Sequence, residues 1–172
     1  MQANVTIRRF VDDDAAAVRE LFILVNRLLA PSDMREAFEV YIARSLSDEM
    51  DRLLAYYAEH SGGFWVAVRE QQVVGMFGLE IAGSDAMELR RMYVHPASRR
   101  VGVASAMLRF AEDECRSFGK HALELSTSEL QPEALRLYKA AGYRLVREVV
   151  TKDPSNKTVG GGIRRYHFEK SL

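Results

Sequence analysis

The chain has 172 residues, of which 48% are apolar and 28% are charged. These proportions exclude a disordered, collagen-like or coiled-coil protein and predict one globular domain over residues 1–172. Lysine plus arginine and aspartate plus glutamate each number 24, so no excess of positive charge favours nucleic acid as a partner.

Membrane and export signals are not expected from this sequence. The longest apolar run, Leu21–Val25, is too short to cross a bilayer, and aspartates precede it where a signal peptide would be positively charged. The single cysteine, Cys115, cannot form an internal disulfide. We therefore expect a cytoplasmic protein without membrane contact.

Apolar periodicity in the first half of the chain changes from that of helices to that of strands. Spacing of i, i+3, i+4 and i+7 predicts a helix capped by Asp12. A second helix begins with a pattern that resembles a capping box at Asp33 and Glu36, and it is either continuous or broken at Ser47. The predicted elements are a strand over Asn4–Phe10, helices over Asp12–Pro31 and Ser32–His60, and a hairpin of strands over Phe64–Val68 and Val73–Ile81.

Strands and helices alternate in the second half. Pro132 suits the first turn of a helix, and Gly119 and Gly142 suit the positions just after helices. A strand–helix–strand unit requires a parallel crossover. We therefore predict an α/β fold with a mixed, mostly antiparallel sheet of about six or seven strands and helices on both faces. The predicted elements are strands over Met87–Val94, Ala122–Ser126, Tyr143–Val150 and Ile163–Phe168, helices over Val103–Phe118 and Pro132–Ala141, and a loop over Asp153–Gly162.

The segment Arg99-Arg100-Val101-Gly102-Val103-Ala104 joins a predicted strand to a predicted helix. The first backbone N–H groups of a helix have no partner inside it, and the helix dipole makes them an anion site. Gly102 permits close approach of the backbone, and the two arginines add positive charge. The segment therefore predicts a cradle for a diphosphate, whereas the P-loop and dinucleotide-binding glycine patterns are absent from the sequence.

The pattern Arg99-x-x-Gly102-x-Ala104 resembles the acetyl-CoA signature of the GNAT superfamily of N-acetyltransferases. A second family pattern, Gln131-x-x-Ala134-x-x-Leu137-Tyr138-x-x-Ala141-Gly142-Tyr143, follows in the order that the family shows. The resemblance covers essentially the whole chain.

Several segments are more narrowly similar to the camello-like branch of these enzymes. Known members carry a membrane segment between the first two helices, whereas only Ala30-Pro31-Ser32 stands there in this chain. The segments that carry this similarity are Tyr41–Met50, Phe64–Ala67, Val74–Met76, Glu88–Met92 and Leu130-Gln131.

The resemblance implies acetyl-CoA as co-substrate and direct attack of a primary amine in a ternary complex. No metal is expected, because the histidines lack metal-ligand spacing and no zinc or calcium pattern is present in the sequence. The resemblance also implies that the backbone of Met92 and Val94 pairs with the pantetheine arm, and that Gln131 contacts the cofactor in place of the usual asparagine. The implied cofactor-binding residues are Met92, Tyr93, Val94, Arg99, Arg100, Val101, Gly102, Val103, Ala104, Ser105, Gln131 and Tyr138.

Two residues are candidates for the proton transfers. Tyr138 takes the position of a family tyrosine that faces the thioester sulfur, and a phenol is protonated at neutral pH and can donate to the leaving thiolate; the alternative is a core aromatic. Glu88 takes the position of a glutamate that removes a proton from the amine in some members. The alternative for Glu88 is a solvated strand residue paired with Arg90.

The acceptor is expected to be a small-molecule amine or an amino-acid derivative. Guanidinium groups suit carboxylates, so Arg35, Arg44 and Arg90, with Tyr41, are candidate acceptor-binding residues. A peptide or protein amine as acceptor, and a non-catalytic acyl-CoA sensor, remain alternatives. The sequence leaves the oligomeric state open, with a homodimer as one option.

Overall fold

A computed structural model describes residues 4–172. Its centre is a 7-stranded sheet with the strand order β1-β2-β3-β4-β5-β7-β6. The strands are β1 Thr6–Arg9, β2 Gly63–Arg69, β3 Gln72–Ile81, β4 Ala86–Val94, β5 Ala122–Ser128, β6 Arg144–Thr151 and β7 Ile163–Ser171. The helices are α1 Ala15–Leu29, α2 Arg35–Ser45, α3 Leu53–Glu59, α4 Val103–Ser117 and α5 Pro132–Ala140.

Strand pairing in the sheet is antiparallel except between β4 and β5. This parallel pair is short: Ala86–Glu88 lies beside Ala122–Glu124, and the two strands then separate. β7 inserts between β5 and β6. The predicted mixed, mostly antiparallel sheet is confirmed, and the separation of β4 from β5 opens its middle.

Helices cover both faces of the sheet, as predicted. One core packs α4 and α5 against Trp65, Phe77 and Met87, with the buried Cys115 among them. The other core packs α1, α2 and α3 against the opposite face of β2 and β3. Each strand of the hairpin therefore buries both of its faces, which explains its long apolar runs.

The helix predicted over Ser32–His60 is interrupted. A π-helical turn over Leu46–Met50 separates α2 from α3, so the alternative of a break near Ser47 is confirmed. This turn points the carboxylate of Glu49 into the protein, where its side chain is fully buried. π-helical turns are often found at functional sites.

The predicted caps of the first two helices are wrong in detail. α1 begins at Ala15, after a 3₁₀ turn, and the capping carboxylate is that of Asp14, which accepts from the N–H of Val11 at 2.9 Å. Asp14 also forms an ion pair with Arg8 at 2.8 Å, whereas Asp12 does not. No side-chain hydrogen bond caps α2.

A β-bulge shapes the end of β4. Its register against β3 shifts by one residue between Arg90 and Tyr93, and Arg91 takes a left-handed φ of 55°. In a regular strand, neighbouring side chains point to opposite faces. The bulge instead lets Arg90 and Arg91 turn to the same face, where both contact Glu49.

Candidate active site

Two cavities lie where β4 and β5 separate. The cradle cavity is bordered by Ser98–Arg100 and Gly102–Ser105, by the end of β4 and by the start of α5. The charged cleft is bordered by Glu88–Tyr93 of β4, Ser126–Ser128 of β5, the loop 156–159 and Arg165 of β7. The cavities share Leu29, Met92, Tyr93, Leu130, Gln131 and Tyr138 as lining residues, so a ligand in one can reach a ligand in the other.

The turn before α4 presents unpaired backbone donors. Among the described residues, no protein acceptor is bonded to any backbone N–H from Arg100 to Ser105, and the first such bond is that of Ala106 to the carbonyl of Gly102 at 3.0 Å. Gly102 caps the helix with a left-handed φ of 86°, which is unfavourable for other residues. The turn is therefore an open anion site at the positive end of a 15-residue helix.

The side chains of the cradle divide between solvent and core. Arg99 and Arg100 are exposed on the rim, and Arg100 contacts Glu133 at 3.2 Å. Val103, the first residue of α4, is buried in the core, and Val101 packs against this core. Every predicted cofactor-binding residue lines the cradle cavity except Val101, whose side chain packs against the core.

The end of β4 supplies a free edge to the same cavity. His95 donates its N–H to the carbonyl of Val74 on β3 at 2.8 Å. Because N–H groups alternate along a strand, the N–H of Val94 points to the other edge, where β5 has already separated. This edge can pair with an extended amide-containing chain.

Tyr138 lies at the junction of the two cavities. Its ring packs against Tyr143 and Phe168, yet its hydroxyl has no hydrogen-bond partner among the residues that the structure describes and is not sealed from the cavities. Burial raises the pKa of Tyr138, so the phenol stays protonated at neutral pH. Tyr138 is thus both a core aromatic and an available proton donor.

Gln131 is the residue before α5 and, like Tyr138, lines both cavities. Its carbonyl oxygen accepts from the hydroxyl of Thr127 at 3.1 Å. This bond fixes the amide group through its oxygen, and the NH₂ has no hydrogen-bond partner among the described residues.

Glu88 lies in the charged cleft. Its ion-pair partner is Lys157, and not Arg90 as the alternative interpretation of the sequence predicted. Its Oε2 is 2.9 Å from Nζ of Lys157, which also lies 3.1 Å from Oε1 of Glu80. Arg90 does not contact Glu88. Burial alone would lower the pKa of Lys157, but the carboxylates of Glu88 and Glu80 outweigh it and raise that pKa, so the ammonium is retained.

Arg90 and Arg91 form a buried ion-pair network under the cleft. Nη1 of Arg90 is 2.8 Å from Oε1 of Glu49 and 3.4 Å from Glu80. Arg91 binds both oxygens of Glu49, at 3.1 and 3.2 Å. Burial opposes ionisation of Glu49, but Arg91 and Arg90 overcome it and lower its pKa. Because Arg90 is already paired with carboxylates, it is not available to an acceptor in the way that the sequence suggested.

The other predicted acceptor-binding residues are dispersed. Tyr41 lines the charged cleft, and its hydroxyl accepts from Arg91 at 2.8 Å. Arg44 lies outside the cleft and binds the carbonyl of Pro154 at 2.9 Å. Arg35 is exposed at the start of α2 and does not line the cleft. Of these three residues, Tyr41 alone lines the charged cleft.

Sequence reasoning missed Glu49, Lys157 and Arg165. Glu49 falls within a predicted amphipathic helix, and Lys157 in a loop with no periodicity. Arg165 is one of two adjacent arginines in the last strand. A signal for Arg165 exists, since alternation places it on the same face as His167 and Glu169, but the sequence does not show that this face borders a cleft.

A family model described as "Acetyltransferase (GNAT) family" matches residues 31–143. The chain belongs to this family. The matched region contains the cradle, β4, the Glu49 network and Tyr138, so the residues that build both cavities come mainly from the GNAT region. Lys157 and Arg165 lie beyond it.

Curated relatives include N-acetyltransferases of family 8, the group to which the camello-like similarity pointed. "N-acetylaspartate synthetase" of Danio rerio is 34% identical over 116 residues, covering 66% of this chain and 41% of that protein. "Probable N-acetyltransferase family 8 member 5" of Mus musculus is 32% identical over 127 residues, with coverages of 71% and 54%. The chain spans about half the length of these relatives. No helix within residues 4–172 has the length and apolar character to cross a membrane.

Solved structures share the whole fold at lower identity. The paiA N-acetyltransferase of Thermoplasma acidophilum, solved with coenzyme A, has a TM-score of 0.75 at 18% identity and covers 99% of this chain and 100% of its own. The yncA protein of Salmonella typhimurium, solved with acetyl-CoA, has a TM-score of 0.70 at 21% identity, with coverages of 99% and 95%. These likenesses establish the GNAT fold for this chain.

Proposed function

We propose that the chain transfers an acetyl group from acetyl-CoA to the primary amine of a small molecule or amino-acid derivative, by direct attack in a ternary complex. One observation carries this proposal: the unpaired N–H groups from Arg100 to Ser105 open onto a cavity that meets the charged cleft at Tyr138. A diphosphate fits such a cradle, and a second substrate can approach from the cleft.

The residues present fit acetyl-CoA as co-substrate, which supplies an activated thioester when bound. The cradle amides and the rim arginines bind the diphosphate. The free edge of β4 holds the pantetheine arm in an extended conformation, and the N–H of Val94 is available to the carbonyl oxygen as negative charge develops on it. The NH₂ of Gln131 contacts the same arm.

Proton transfers fall to the two side chains at the junction and in the cleft. Glu88 accepts a proton from the acceptor ammonium, directly or through water, so that a neutral amine attacks the carbonyl carbon. Tyr138 donates its phenolic proton toward the departing sulfur, whose thiol has an ordinary pKa of about 8.5. Because no basic side chain of the described residues forms a hydrogen bond with Tyr138, its proton is replaced from water in the cavity.

Relatives support an amino-acid acceptor. A protein named N-acetylaspartate synthetase is 34% identical to this chain over the matched region. A carboxylate-bearing amine also suits the charged cleft, which presents cationic and anionic side chains together.

Thiol release tests the proposal. The chain is mixed with acetyl-CoA and a panel of amines, amino acids and lysine-containing peptides, and free coenzyme A is measured over time. Acceptor-dependent release that is faster than the blank supports the proposal. Tight acetyl-CoA binding by calorimetry without release from any acceptor would instead indicate a sensor, and the absence of binding would overturn the cradle itself.

A further inference from the structure

Arg165 differs from the other cations of the charged cleft in having no carboxylate partner. Arg90 and Arg91 share Glu49, and Lys157 lies between Glu80 and Glu88. Within residues 4–172, no carboxylate lies within ion-pair distance of Arg165, and its side chain makes a single hydrogen bond, from Nη2 to the hydroxyl of Ser126 at 3.0 Å.

The guanidinium of Arg165 therefore has unused donors. A guanidinium carries five N–H donors in a planar fork, and Ser126 accepts from only one nitrogen. None of the remaining donors is sealed in the protein without a partner, so they face the cavity that Arg165 lines. Burial lowers the pKa of Arg165 by more than Tyr41, Tyr93 and Glu88 together raise it, and a bound anion would offset the remaining effect of burial.

Arg165 and Glu88 are separated by a distance that a single amino acid can span. Glu88 is level with Glu124 on β5, and Ser126 lies two residues further along the same face, which is about 7 Å at about 3.3 Å per residue. The guanidinium, held at Ser126, is thus separated from the Glu88 carboxylate along the strand direction. A molecule whose amine and carboxylate are a few atoms apart can contact both.

The cofactor does not account for this arginine. Arg165 lines the charged cleft and the neighbouring cavity over β5 and β7, but not the cradle cavity. Arg165 is therefore absent from the lining of the diphosphate cradle and lies on the side of Tyr138 from which the acceptor approaches.

We propose that Arg165 binds the carboxylate of the acceptor in a bidentate manner, and that the acceptor is consequently a free amino acid rather than a simple amine or an amide. This inference rests on the proposed function, since it concerns the acceptor of the same site. It transfers to Arg165 the role that the sequence suggested for Arg90.

Matched acceptors test the inference. Alanine, alaninamide and ethylamine are compared as acceptors; they are the free acid, its amide and the amine without a carboxyl group. The same three forms of aspartate, phenylalanine and lysine are tested as well. Each acceptor is assayed with the wild-type chain, Arg165→Gln and Arg164→Gln. Arg164 is the matched control because it is the adjacent arginine, with its guanidinium on an exposed Glu148 at 3.1 Å. We expect the wild type to prefer at least one free acid over its amide by about tenfold or more, and Arg165→Gln to lose this preference through a higher KM for the acid only. Arg164→Gln keeps the preference.

Equal use of acid and amide by the wild type, or an equal loss for all three forms in Arg165→Gln, would overturn the inference while leaving the acetyltransferase proposal intact. Should no amine release thiol, calorimetric binding of N-acetylalanine and N-acetylalaninamide decides the role of Arg165 separately: preferential binding of the acid that Arg165→Gln abolishes supports it, and equal or absent binding refutes it. If Arg165→Gln does not fold, Arg165→Lys, which keeps the charge but not the fork, is expected to weaken the preference for the acid partially.

Discussion

Arg91 donates from Nε and Nη2 to both carboxylate oxygens of Glu49, at 3.1 and 3.2 Å, and both side chains are almost completely buried. The pair joins the π-helical turn between α2 and α3 to the bulge of β4. The backbone of the charged cleft is therefore shaped by an ion pair beneath it, and Arg91 also holds the loop above by donating to the carbonyl of Asn156.

Glu49→Gln is expected to lower the free energy of unfolding by about 3–5 kcal/mol, because it leaves Arg91 buried without its countercharge. The pKa of Glu49 is lowered in the folded protein. The stability that it contributes is therefore fully present above the unfolded value of about 4.3 and is lost as the pH falls through the folded value. Urea unfolding of the variant and the wild type at pH 7 measures the first effect, and urea unfolding of both at a series of pH values below 4 measures the second.

Glu39→Gln is the matched control, since Glu39 pairs with Arg27 at 2.8 Å on the surface, where both side chains are more than half exposed. It is expected to leave the urea midpoint almost unchanged. If Glu49→Gln unfolds at the same urea concentration as this control, the buried pair does not stabilise the fold.

The order and type of the elements could be predicted from the sequence because periodicity and turn residues determine them locally. Val18, Leu21 and Phe22 repeat at helical spacing and are buried on α1. The π-helical turn could be suggested only as a break near Ser47, since its geometry follows from burying Glu49 against β4, a contact between residues distant in the sequence.

Gly102→Glu is expected to weaken acetyl-CoA binding by about 100-fold or more, because a side chain at a left-handed φ strains the turn and its carboxylate repels the diphosphate. Gly119→Glu is the matched control. It lies at the other end of α4 with a left-handed φ of 75° and open space around it, so backbone strain is similar there. Calorimetric titration with acetyl-CoA distinguishes the two, and comparable affinities would exclude the cradle as the cofactor site.

Tyr138→Phe is expected to lower kcat by roughly 100-fold through loss of the proton donor, with little change in acetyl-CoA affinity. Tyr143→Phe is its control. Tyr143 packs against Tyr138 at 6.0 Å between ring centroids, but its hydroxyl donates to Glu112 in the core at 3.0 Å. Its loss should cost about 1 kcal/mol of stability without slowing turnover. Equal kcat for wild type and Tyr138→Phe would leave Tyr138 as a packing residue.

The cradle and Tyr138 were predictable because they depend on backbone geometry and on a motif of nearby residues. The acceptor side was not. Arg90 and Arg165 are both arginines in strands, and only the tertiary structure shows that Arg90 is neutralised by Glu49 and that Arg165 is not. Ion pairs between residues distant in the sequence therefore determine which arginine can bind an acceptor, and a local sequence pattern does not show these pairs.

Glu88→Gln is expected to reduce kcat/KM by about 100-fold and to remove the fall in rate at acid pH that protonation of a general base causes. Glu124→Gln is the control, because Glu124 is the in-register neighbour of Glu88 on β5 but lies outside the charged cleft. Burial, together with Glu169 and Glu88, raises the pKa of Glu124. Glu124→Gln therefore removes a carboxyl group that lies near Glu88 and interacts with it, but that does not line the cleft. A pH–rate profile of Glu88→Gln that matches the wild type would assign proton removal to water alone.

Lys157→Ala is expected to lower the KM for the acceptor up to about fivefold, because a tethered ammonium no longer competes with the acceptor amine for Glu88. The ion pair is half-exposed on the lysine side, with 49% of that side chain accessible, so its contribution is about 1 kcal/mol or less. Lys152→Ala is the control: Lys152 is exposed at the start of the same loop and contributes only its carbonyl, to the N–H of Gly161 at 3.1 Å. Steady-state kinetics at saturating acetyl-CoA measure the effect. A higher acceptor KM in Lys157→Ala, with Lys152→Ala unchanged, would show that Lys157 helps to bind the acceptor instead of competing with it.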